Sequence, residues 1–460
     1  MVDGVLISGC CNVAQGPETT TKRLMESKFK SARTNGLAGV CLVLSLGLMT
    51  ANPVPAQTSA SAGEVQTDFD AAMQAVEQSR LRTARQRLTS LLAANPSLSR
   101  ARLELARVYY LSRDYTAART EAQRVLDDPD TPPTVRATVL AFLAQIDADE
   151  RRYAARHQWS PSFYGGVMYD SNVNVGVARD IIEIGGVPFQ VSPGSRETSD
   201  GAAVINTGIS HTYNPNRRFE WGEYPGSFIW QSEANAYYRA YFDESDFNLG
   251  VLTLRTGPAW VVPGRWRAYV GLQADQIFLD NENLALFGSL NPGVAWQVGD
   301  NWEVGLDGII TERTYHDSAE SGREGRYQSV NLTVGRYFRE RRLLVQAGVG
   351  YPDFDADNNV YSYSGPEAFV GLNAEAWTNG AVFARVGYRW YDFEDIEPGF
   401  TTARDDEELR TLVGLQHDYR EGWLDKWSLI ASWTYTDNQS DVVIYEYDRH
   451  QVSLGLSRRF

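Results

Sequence analysis

Residues Tyr164–Gly176 read YGGVMYDSNVNVG and combine two kinds of sequence. Aromatic, glycine and aliphatic residues fill the first six positions, and a cluster of Asp and Asn follows them. Residues 177–200 then have the composition of a loop. We interpret YGGVMY as the end of a β-strand that rises to the rim of a sheet and continues into a long loop. The polar patch at that rim consists of Asp170, Asn172 and Asn174.

A period of two continues through residues 158–460. In Phe228–Phe242 and in Ala381–Tyr391, aromatic and small aliphatic residues alternate with polar ones. Aromatic residues lie at the ends of the apolar faces, as in strands that cross an outer membrane in about ten residues. A soluble sandwich also alternates, but its strands are shorter and its apolar face points inward. Polar residues in mid-strand are therefore expected to line a wet lumen, as any porin-like lumen requires. The candidates are Glu233, Arg239, Asp275, Arg385 and Arg389.

The alternation predicts fourteen strands after residue 157. No stretch after residue 49 is apolar enough for a spanning helix, and a closed barrel is the other way to satisfy backbone polar groups in lipid. Short connections alternate with long ones, which is typical of outer-membrane barrels. The predicted fold class is α + β multidomain: a short all-α tetratricopeptide-like segment followed by an antiparallel 14-stranded transmembrane β-barrel. The strands are predicted near 160–170, 201–213, 226–242, 247–262, 264–279, 285–298, 301–315, 326–338, 341–353, 361–377, 380–392, 406–418, 425–436 and 444–460.

The N-terminal residues 1–56 are expected to be an extension and a secretory signal peptide. A basic region precedes the apolar run Leu37–Met49, and small residues precede a cleavage site ahead of Gln57. Residues 57–156 are then expected to form a periplasmic helical domain, and residues 157–460 the outer-membrane barrel. The mature chain lacks thiols and disulfides, because the cysteines are Cys10, Cys11 and Cys41.

The helical segment carries an internal repeat. The sequence TARQRLTSLLAANP (Thr83–Pro96) is echoed by TAARTEAQRVLDDP (Thr116–Pro129). Ala84 and Ala118 occupy equivalent positions 34 residues apart, which is the tetratricopeptide period. Such repeats stack into a concave surface that binds peptides or proteins. A plain helical hairpin that acts as a spacer is the alternative.

The composition gives no sign of catalysis. A net charge of −15 argues against nucleic-acid binding, and the five histidines are scattered without metal spacing. Phosphate loops, nucleophile elbows and His-Glu-x-x-His motifs are absent from the sequence. The run from Asp170 begins like a calcium loop, but Val175 and Ile181 stand where Gly and Glu are required. DFDADNN (353–359) is interpreted as a solvated turn. We therefore expect no enzyme activity, no cofactor and no metal.

The order of signal peptide, short repeat segment and fourteen-strand barrel resembles the surface lipoprotein assembly modulator (Slam) family. The strongest local similarity is YDSNVN (Tyr169–Asn174), because the family carries a similar Asp-x-Asn-x-Asn patch at the end of the first strand. Members are outer-membrane translocators that deliver lipoproteins or related secreted proteins to the cell surface. The resemblance implies that the repeats receive a periplasmic client and that the barrel is its route across. The repeat segment is shorter here than in the best-known members.

The last strand, VSLGLSRRF, ends on Phe460. A terminal aromatic residue on such a strand is similar to the signal that the outer-membrane barrel assembly machinery reads. The expected partners are therefore a client lipoprotein or secreted protein, that machinery and outer-membrane lipid.

Two other functions fit the same architecture. One is a porin for exopolysaccharide export, in which periplasmic repeats also precede a barrel. The other is a barrel that merely anchors a periplasmic scaffold. A polysaccharide porin would need a lumen with a long track of one charge sign or of aromatic residues, together with synthase genes nearby. A translocator would need a lipoprotein or secreted protein encoded next to it.

Overall fold

The computed structural model describes residues 62–153, 155–184 and 187–460. The predicted extension and signal peptide, residues 1–56, lie outside the described residues. Residues Gln66–Phe460 form one compact unit, which contains both the helices and the barrel.

Five α-helices occupy residues 62–153: α1 (Ala62–Glu77), α2 (Leu81–Ala94), α3 (Ser99–Leu111), α4 (Tyr115–Leu126) and α5 (Pro133–Tyr153). Their core consists of small and aliphatic side chains, and Ala84 and Ala118, the two positions predicted to be equivalent, are both fully buried. Asp114 begins α4 by accepting a hydrogen bond from the backbone N–H of Ala117 at 3.2 Å. In the described part of the chain, no helix is long and apolar enough to cross a membrane.

A closed antiparallel barrel follows. Within residues 155–184 and 187–460 the strands are β1 (His157–Asp170), β2 (Ile181–Ile184), β3 (Val187–Gln190), β4 (Asp200–Trp221), β5 (Tyr224–Tyr241), β6 (Leu249–Val262), β7 (Trp266–Leu279), β8 (Glu282–Val298), β9 (Trp302–Tyr315), β10 (Gly325–Phe338), β11 (Leu343–Ala356), β12 (Tyr363–Ser364), β13 (Glu367–Trp377), β14 (Gly380–Phe393), β15 (Asp405–Asp418), β16 (Trp427–Ser440) and β17 (Tyr447–Arg459).

The barrel closes because β1 pairs with β4 on one side and with β17 on the other. The two-residue β12 lies between β11 and β14, in the same place in the sheet as β13. The separate hairpin β2–β3 belongs to the connection between β1 and β4. The described barrel wall therefore has fourteen strand positions, with β12 and β13 sharing one, and we call each position a stave. The predicted fold class is confirmed.

Side chains alternate between the outside and the lumen along every stave. On β1, Val167 and Tyr169 are outside and about half exposed, whereas Asp170 points inward and is fully buried. Large apolar side chains on the other staves follow the same rule, including Leu254 at 63% exposure and Leu272 at 59%. An apolar outer wall around a polar interior is the arrangement of a membrane barrel.

The two ends of the barrel differ. We name the loop end as the end where β1 finishes at Asp170, and the turn end as the end where β1 starts at His157. The loop end carries the long connections 171–199, 316–324 and 394–404, and most turn-end connections have two to four residues. Two connections depart from the predicted asymmetry. The β7–β8 turn at the loop end has only two residues, Asp280 and Asn281, both with positive φ, and the β15–β16 connection at the turn end has eight.

The hairpin β4–β5 is longer than the sequence predicts. Its strands were expected at 201–213 and 226–242, but they continue to Trp221 and start again at Tyr224. The pairing skips one short irregularity after Tyr213 and resumes at Arg217. With 22 and 18 residues against 14 in β1, the hairpin projects beyond the wall at the turn end.

Candidate functional site

The polar cluster that follows the first strand lies inside the barrel rather than on an open rim. Asp170 is fully buried and forms a bidentate ion pair with Arg449 of β17, with 2.8 Å between its Oδ1 and the arginine Nε. Tyr241 of β5 donates its hydroxyl proton to Asp170 Oδ2 at 2.8 Å, and Gln451 donates to the same oxygen at 2.9 Å. This network joins three staves around one carboxylate.

The next polar residue, Asn172, fixes the start of the first loop. It is fully buried, and its Oδ1 accepts the backbone N–H of Gly176 at 2.8 Å. Its Nδ2 donates to the carbonyl oxygens of Gly176 at 2.9 Å and Asp448 at 3.2 Å. The loop is thereby attached to the beginning of β17. Between the polar residues, Val173 is fully buried against Tyr241.

Asn174 fixes the far half of the same loop. Its Nδ2 donates to the carbonyl oxygen of Arg196 at 2.6 Å, and its Oδ1 accepts the N–H of Thr198 at 3.1 Å. The loop then packs against the connection between β16 and β17 through a small apolar cluster of Val177, Ile182, Val191, Val443 and Ile444. The first loop is therefore held in a folded position at the loop end of the barrel.

Aromatic side chains fill another part of the lumen near the loop end. Phe354 and Tyr363 are buried, with their ring centroids 5.7 Å apart, and the Arg313 guanidinium lies 4.1 Å from the Phe354 ring. Such contacts between cations and aromatic faces are favourable in a desolvated site. The rest of this cluster is made of Tyr327, Tyr361, Tyr391 and Phe393.

The five residues predicted to line the lumen all lie on inward-facing positions, but the structure does not gather them into one site. Arg389 is paired with Glu367 at 3.1 Å and with Glu408 at 3.3 Å. Asp275 accepts a hydrogen bond from Thr253 at 2.6 Å. The remaining placements are Arg385 stacked at 3.7 Å over Phe369, Arg239 at 5.0 Å from the Tyr241 ring, and Glu233 opposite Arg255 in the β5–β6 register.

Charges of both signs therefore alternate around the lumen. Arg239 is only 4% exposed, and its Nε and Nη2 have no hydrogen-bond partner among the described residues. Burying a guanidinium whose N–H groups lack acceptors is energetically unfavourable, so binding of a carboxylate or carbonyl oxygen beside Arg239 would be favourable.

The helical segment is fastened to the projecting β4–β5 hairpin. Glu223, in the turn of that hairpin, accepts both the N–H and the hydroxyl of Thr83 at 2.8 and 2.9 Å. Glu220 forms ion pairs with Arg82 and Arg85 at the start of α2. We call this set of contacts the α2–hairpin dock. Local sequence patterns do not indicate it, because the partners are about 140 residues apart.

A second set of contacts also holds the helical segment on this hairpin. Arg218 of β4 forms an ion pair with Asp114 at 3.0 Å and donates to the carbonyl oxygen of Arg113 at 2.8 Å. Both partners lie in the turn between α3 and α4. The hairpin therefore holds both the start of α2 and the α3–α4 turn, which fixes the orientation of the repeats.

The α2–hairpin dock is expected to weaken in acid. The hydrogen bonds from Thr83 hold the pKa of the Glu223 carboxyl below its ordinary value of 4.5. A carboxylate whose pKa is lowered in the folded state stabilises that state above its ordinary pKa and loses the effect as the pH falls through the lowered value. Hydrogen exchange of α2, corrected for the intrinsic rate, should therefore be slow at pH 7 and accelerate below pH 4.5. Glu223→Gln should accelerate it already at pH 7, and exchange unaffected by both changes would contradict the role of this carboxylate.

The described residues contain no group of three or more His, Cys, Asp or Glu able to hold an ion. The barrel-assembly residue, Phe460, directly follows β17. It is 63% exposed, and its N–H donates to the carbonyl oxygen of Pro161 at 2.9 Å. Its role in assembly stays a prediction.

Comparison with known families gives two matches. A tetratricopeptide-repeat family model matches residues 75–154, which is most of the helical segment. A second family model, described as a protein of unknown function (DUF2860), matches residues 272–458, from β7 to β17. No curated protein matches the chain.

Among solved structures, the chain is similar to several bacterial porins. An anion-selective porin from Comamonas acidovorans is 10% identical with a TM-score of 0.38, over 66% of this chain and 99% of that one. OccK1 (OpdK) from Pseudomonas aeruginosa is 12% identical with a TM-score of 0.34, over 66% of this chain and 98% of that one. A loop-deletion mutant of OmpT from Vibrio cholerae is 9% identical with a TM-score of 0.36, over 66% of this chain and all of that one.

The strand pairing and the repeat match define the class of protein: an outer-membrane β-barrel with a tetratricopeptide region. Membership of the Slam family stays a prediction.

Proposed function

We propose that the protein is a non-enzymatic outer-membrane translocator that delivers a lipoprotein or a related secreted protein to the cell surface. The turn end with its helices lies in the periplasm, and the loop end faces outward. The repeats bind a client polypeptide, and the lumen is the client's route across. A fourteen-strand barrel is wider than an eight-strand barrel that side chains fill and narrower than an open porin of sixteen strands. It suits an extended chain better than a folded domain.

The observation that carries this proposal is the mounting of the repeats on the barrel's own elongated hairpin. A scaffold that needs only an anchor is served by a flexible linker, because anchoring sets no requirement on orientation. Here Glu223 and Glu220 hold the start of α2, and Arg218 holds the α3–α4 turn. A binding module with a fixed orientation beside a pore entrance favours handover of a client into that pore.

The ordered first loop gives further support. The Asp170–Arg449 network and Asn172 hold this loop at the loop end of the barrel. We propose that the loop narrows the exit of the resting translocator, because a permanently open lumen would let solutes leak. A porin for small solutes needs an aqueous passage at all times.

The charge pattern separates the proposal from polysaccharide export. The lumen mixes signs, as in the Arg389 pairs with Glu367 and Glu408, rather than forming a track of one sign. The polysaccharide porin stays the second candidate because of the aromatic cluster around Phe354 and Tyr363, whose ring faces could stack on sugars. Those rings are packed on one another, so a sugar would have to displace them.

The test compares strains with and without this gene. Each lipoprotein or secreted protein encoded beside it is expressed with an epitope tag, and whole cells are treated with protease. We expect at least a tenfold lower surface-exposed fraction without the gene, with unchanged total amount. Equal exposure in both strains would refute translocation, and loss of surface polysaccharide in that strain would favour the second candidate.

The assigned orientation predicts which tags antibodies reach on intact cells. A tag inserted after Gly399, in the exposed loop 394–404, should be labelled, because this loop lies at the loop end. A tag inserted after Asp300, in an exposed turn at the turn end, should be labelled only after the outer membrane is opened. Flow cytometry of cells that carry either tag compares antibody labelling before and after the outer membrane is opened. The opposite labelling pattern would invert the orientation and overturn the periplasmic placement of the repeats.

A further inference from the structure

We propose that the seam between β1 and β17 opens sideways from the turn end, so that a lipidated client crosses with its polypeptide in the lumen and its acyl chains in the membrane. The proposal rests on the proposed function and deepens it. It names the part of the wall that a lipoprotein contacts during transport.

The seam has the least pairing of any in the described barrel. It joins nine pairs of residues, from Ser162 opposite Arg459 to Asp170 opposite Gln451. Every other seam joins ten to seventeen pairs when β12 is counted with β13. The deficit lies at the turn end, where His157–Ser160 pair with β4 but have no described strand on their β17 side, and where Pro161 keeps a single hydrogen bond, from the N–H of Phe460 at 2.9 Å. Separation of the seam therefore has a starting point.

The middle of the seam has few side chains to hold it. Gly166 pairs directly with Gly455, and Gly165 is its neighbour on β1. Cross-strand side-chain pairs supply much of the stability of a sheet, and glycine supplies none. The strands approach so closely here that a Cβ on Gly166 would lie 2.5 Å from the carbonyl oxygen of Leu454. One side chain of β1 covers this part of the seam: the Tyr164 ring lies over Gly455, where a Cβ would meet it at 2.5 Å. Backbone hydrogen bonds and this one ring therefore hold the middle of the seam.

The loop end of the seam is held much more strongly. The buried Asp170–Arg449 pair bridges β1 and β17 directly, and Asn172 bonds to the carbonyl oxygen of Asp448. Two hydrogen bonds between Ser171 and His450, at 2.9 and 2.8 Å, continue the strand contact past Asp170. The seam is thus held strongly at one end and weakly at the other, so that opening starts at the turn end and reaches the loop end only when the Asp170–Arg449 pair separates.

Chain connectivity also sets this seam apart. Every other pair of neighbouring staves is consecutive along the described chain and joined by a turn or loop at one end. β1 and β17 are the first and last staves, so their separation breaks no covalent connection and strains no turn. It is the seam of the described wall that noncovalent contacts alone hold closed, among them the Asp170–Arg449 ion pair at its loop end.

A lipidated client needs an opening of this kind. Its polypeptide carries backbone polar groups that hydrocarbon cannot satisfy, and its acyl chains strongly prefer the membrane interior to a wet lumen. A gap in the wall lets each part of the client stay in its preferred medium. The opening at the turn end lies beside the periplasmic leaflet, where a lipoprotein arrives.

A disulfide across the seam tests the proposal. Cysteines replace Ser162 and Arg459, which are paired in the register, and the chain after Cys41 has no others. The matched control replaces Gln416 and Ile430, which are paired across β15 and β16 near the same end. We expect the oxidised seam variant to lose at least tenfold of the surface display of the neighbouring lipoprotein, and reduction to restore it. The oxidised control should stay within twofold of the parent.

The reduced arm shows that each variant folds, and Tyr164→Cys with Ser457→Cys provides a second lock on the same seam. Normal display through both oxidised locks overturns the seam proposal, and so does an equal loss in the control. If display does not depend on this gene at all, the proposed function itself fails. If display depends on the gene but not on the locks, only the seam proposal fails.

Discussion

Arg449→Ala is expected to destabilise the barrel by about 3–5 kcal/mol, because it leaves the Asp170 carboxylate buried and without its charge partner. Asp170 is fully buried and joins β1, β5 and β17, so the loss acts on closure of the wall and on the first loop together. The measurement is the temperature at which the folded barrel loses its compact migration on a gel. We also expect greater protease sensitivity of residues 171–199.

Two variants serve as controls for this prediction. Arg459→Ala removes an exposed arginine from the same strand and should leave the transition near that of the parent. Replacing both partners, as Asp170→Asn with Arg449→Gln, removes the buried charges together and should recover much of the loss. Equal stability of the Arg449→Ala and Arg459→Ala proteins would show that the buried pair does not hold the seam.

Deletion of residues 66–150 is expected to abolish surface display of the client, by tenfold or more, while the barrel still assembles. Every stave and every pair that closes the wall lies after residue 156, so the barrel keeps its own hydrogen bonds. The deletion removes the binding module and the α2–hairpin dock together. The amount of heat-modifiable barrel and the whole-cell protease assay are measured in the same samples.

A charge exchange tests whether the repeats must be held on the β4–β5 hairpin or need only be present in the chain. Glu220→Arg with Glu223→Arg keeps all five described helices but places arginines opposite Arg82 and Arg85, so display should fall although the chain is complete. Adding Arg82→Glu and Arg85→Glu recreates opposite charges and should restore part of it. Unimpaired display from the deletion variant would mean that the repeats play no part in transport.

The fourteen staves could be predicted from sequence because each one alternates between two different media, lipid and a polar lumen. The β4–β5 hairpin was the exception. The first strand of this hairpin was predicted to end at residue 213, and Asn214, Pro215 and Asn216, which follow it, are residue types that usually end a strand. In the structure they form an irregularity, with Asn216 at a φ of 58°, and pairing resumes at Arg217. A bulge and a turn look alike in sequence, and only the partner strand distinguishes them.

The site was less predictable, because its contacts join residues that are far apart in the chain. The sequence indicated that Asp170, Asn172 and Asn174 lie together at the rim where the first strand ends, but it did not indicate that they are buried. Arg449, the partner of Asp170, is 279 residues away and faces it only when the last strand closes on the first. Neither the register of that closure nor the inward fold of the first loop can be obtained from local alternation.

The central claim is that a client polypeptide passes through the lumen, and photo-cross-linking during export tests it most directly. Benzoylphenylalanine is placed at Glu233, which faces the lumen, or at Ala234, whose partners Ile209 and Leu254 lie on the outer wall. The two positions are adjacent on β5, so depth in the membrane is matched. We expect the client to be captured at position 233 and not at position 234. Absence of any product at 233, or equal capture at both positions, would contradict passage through the lumen.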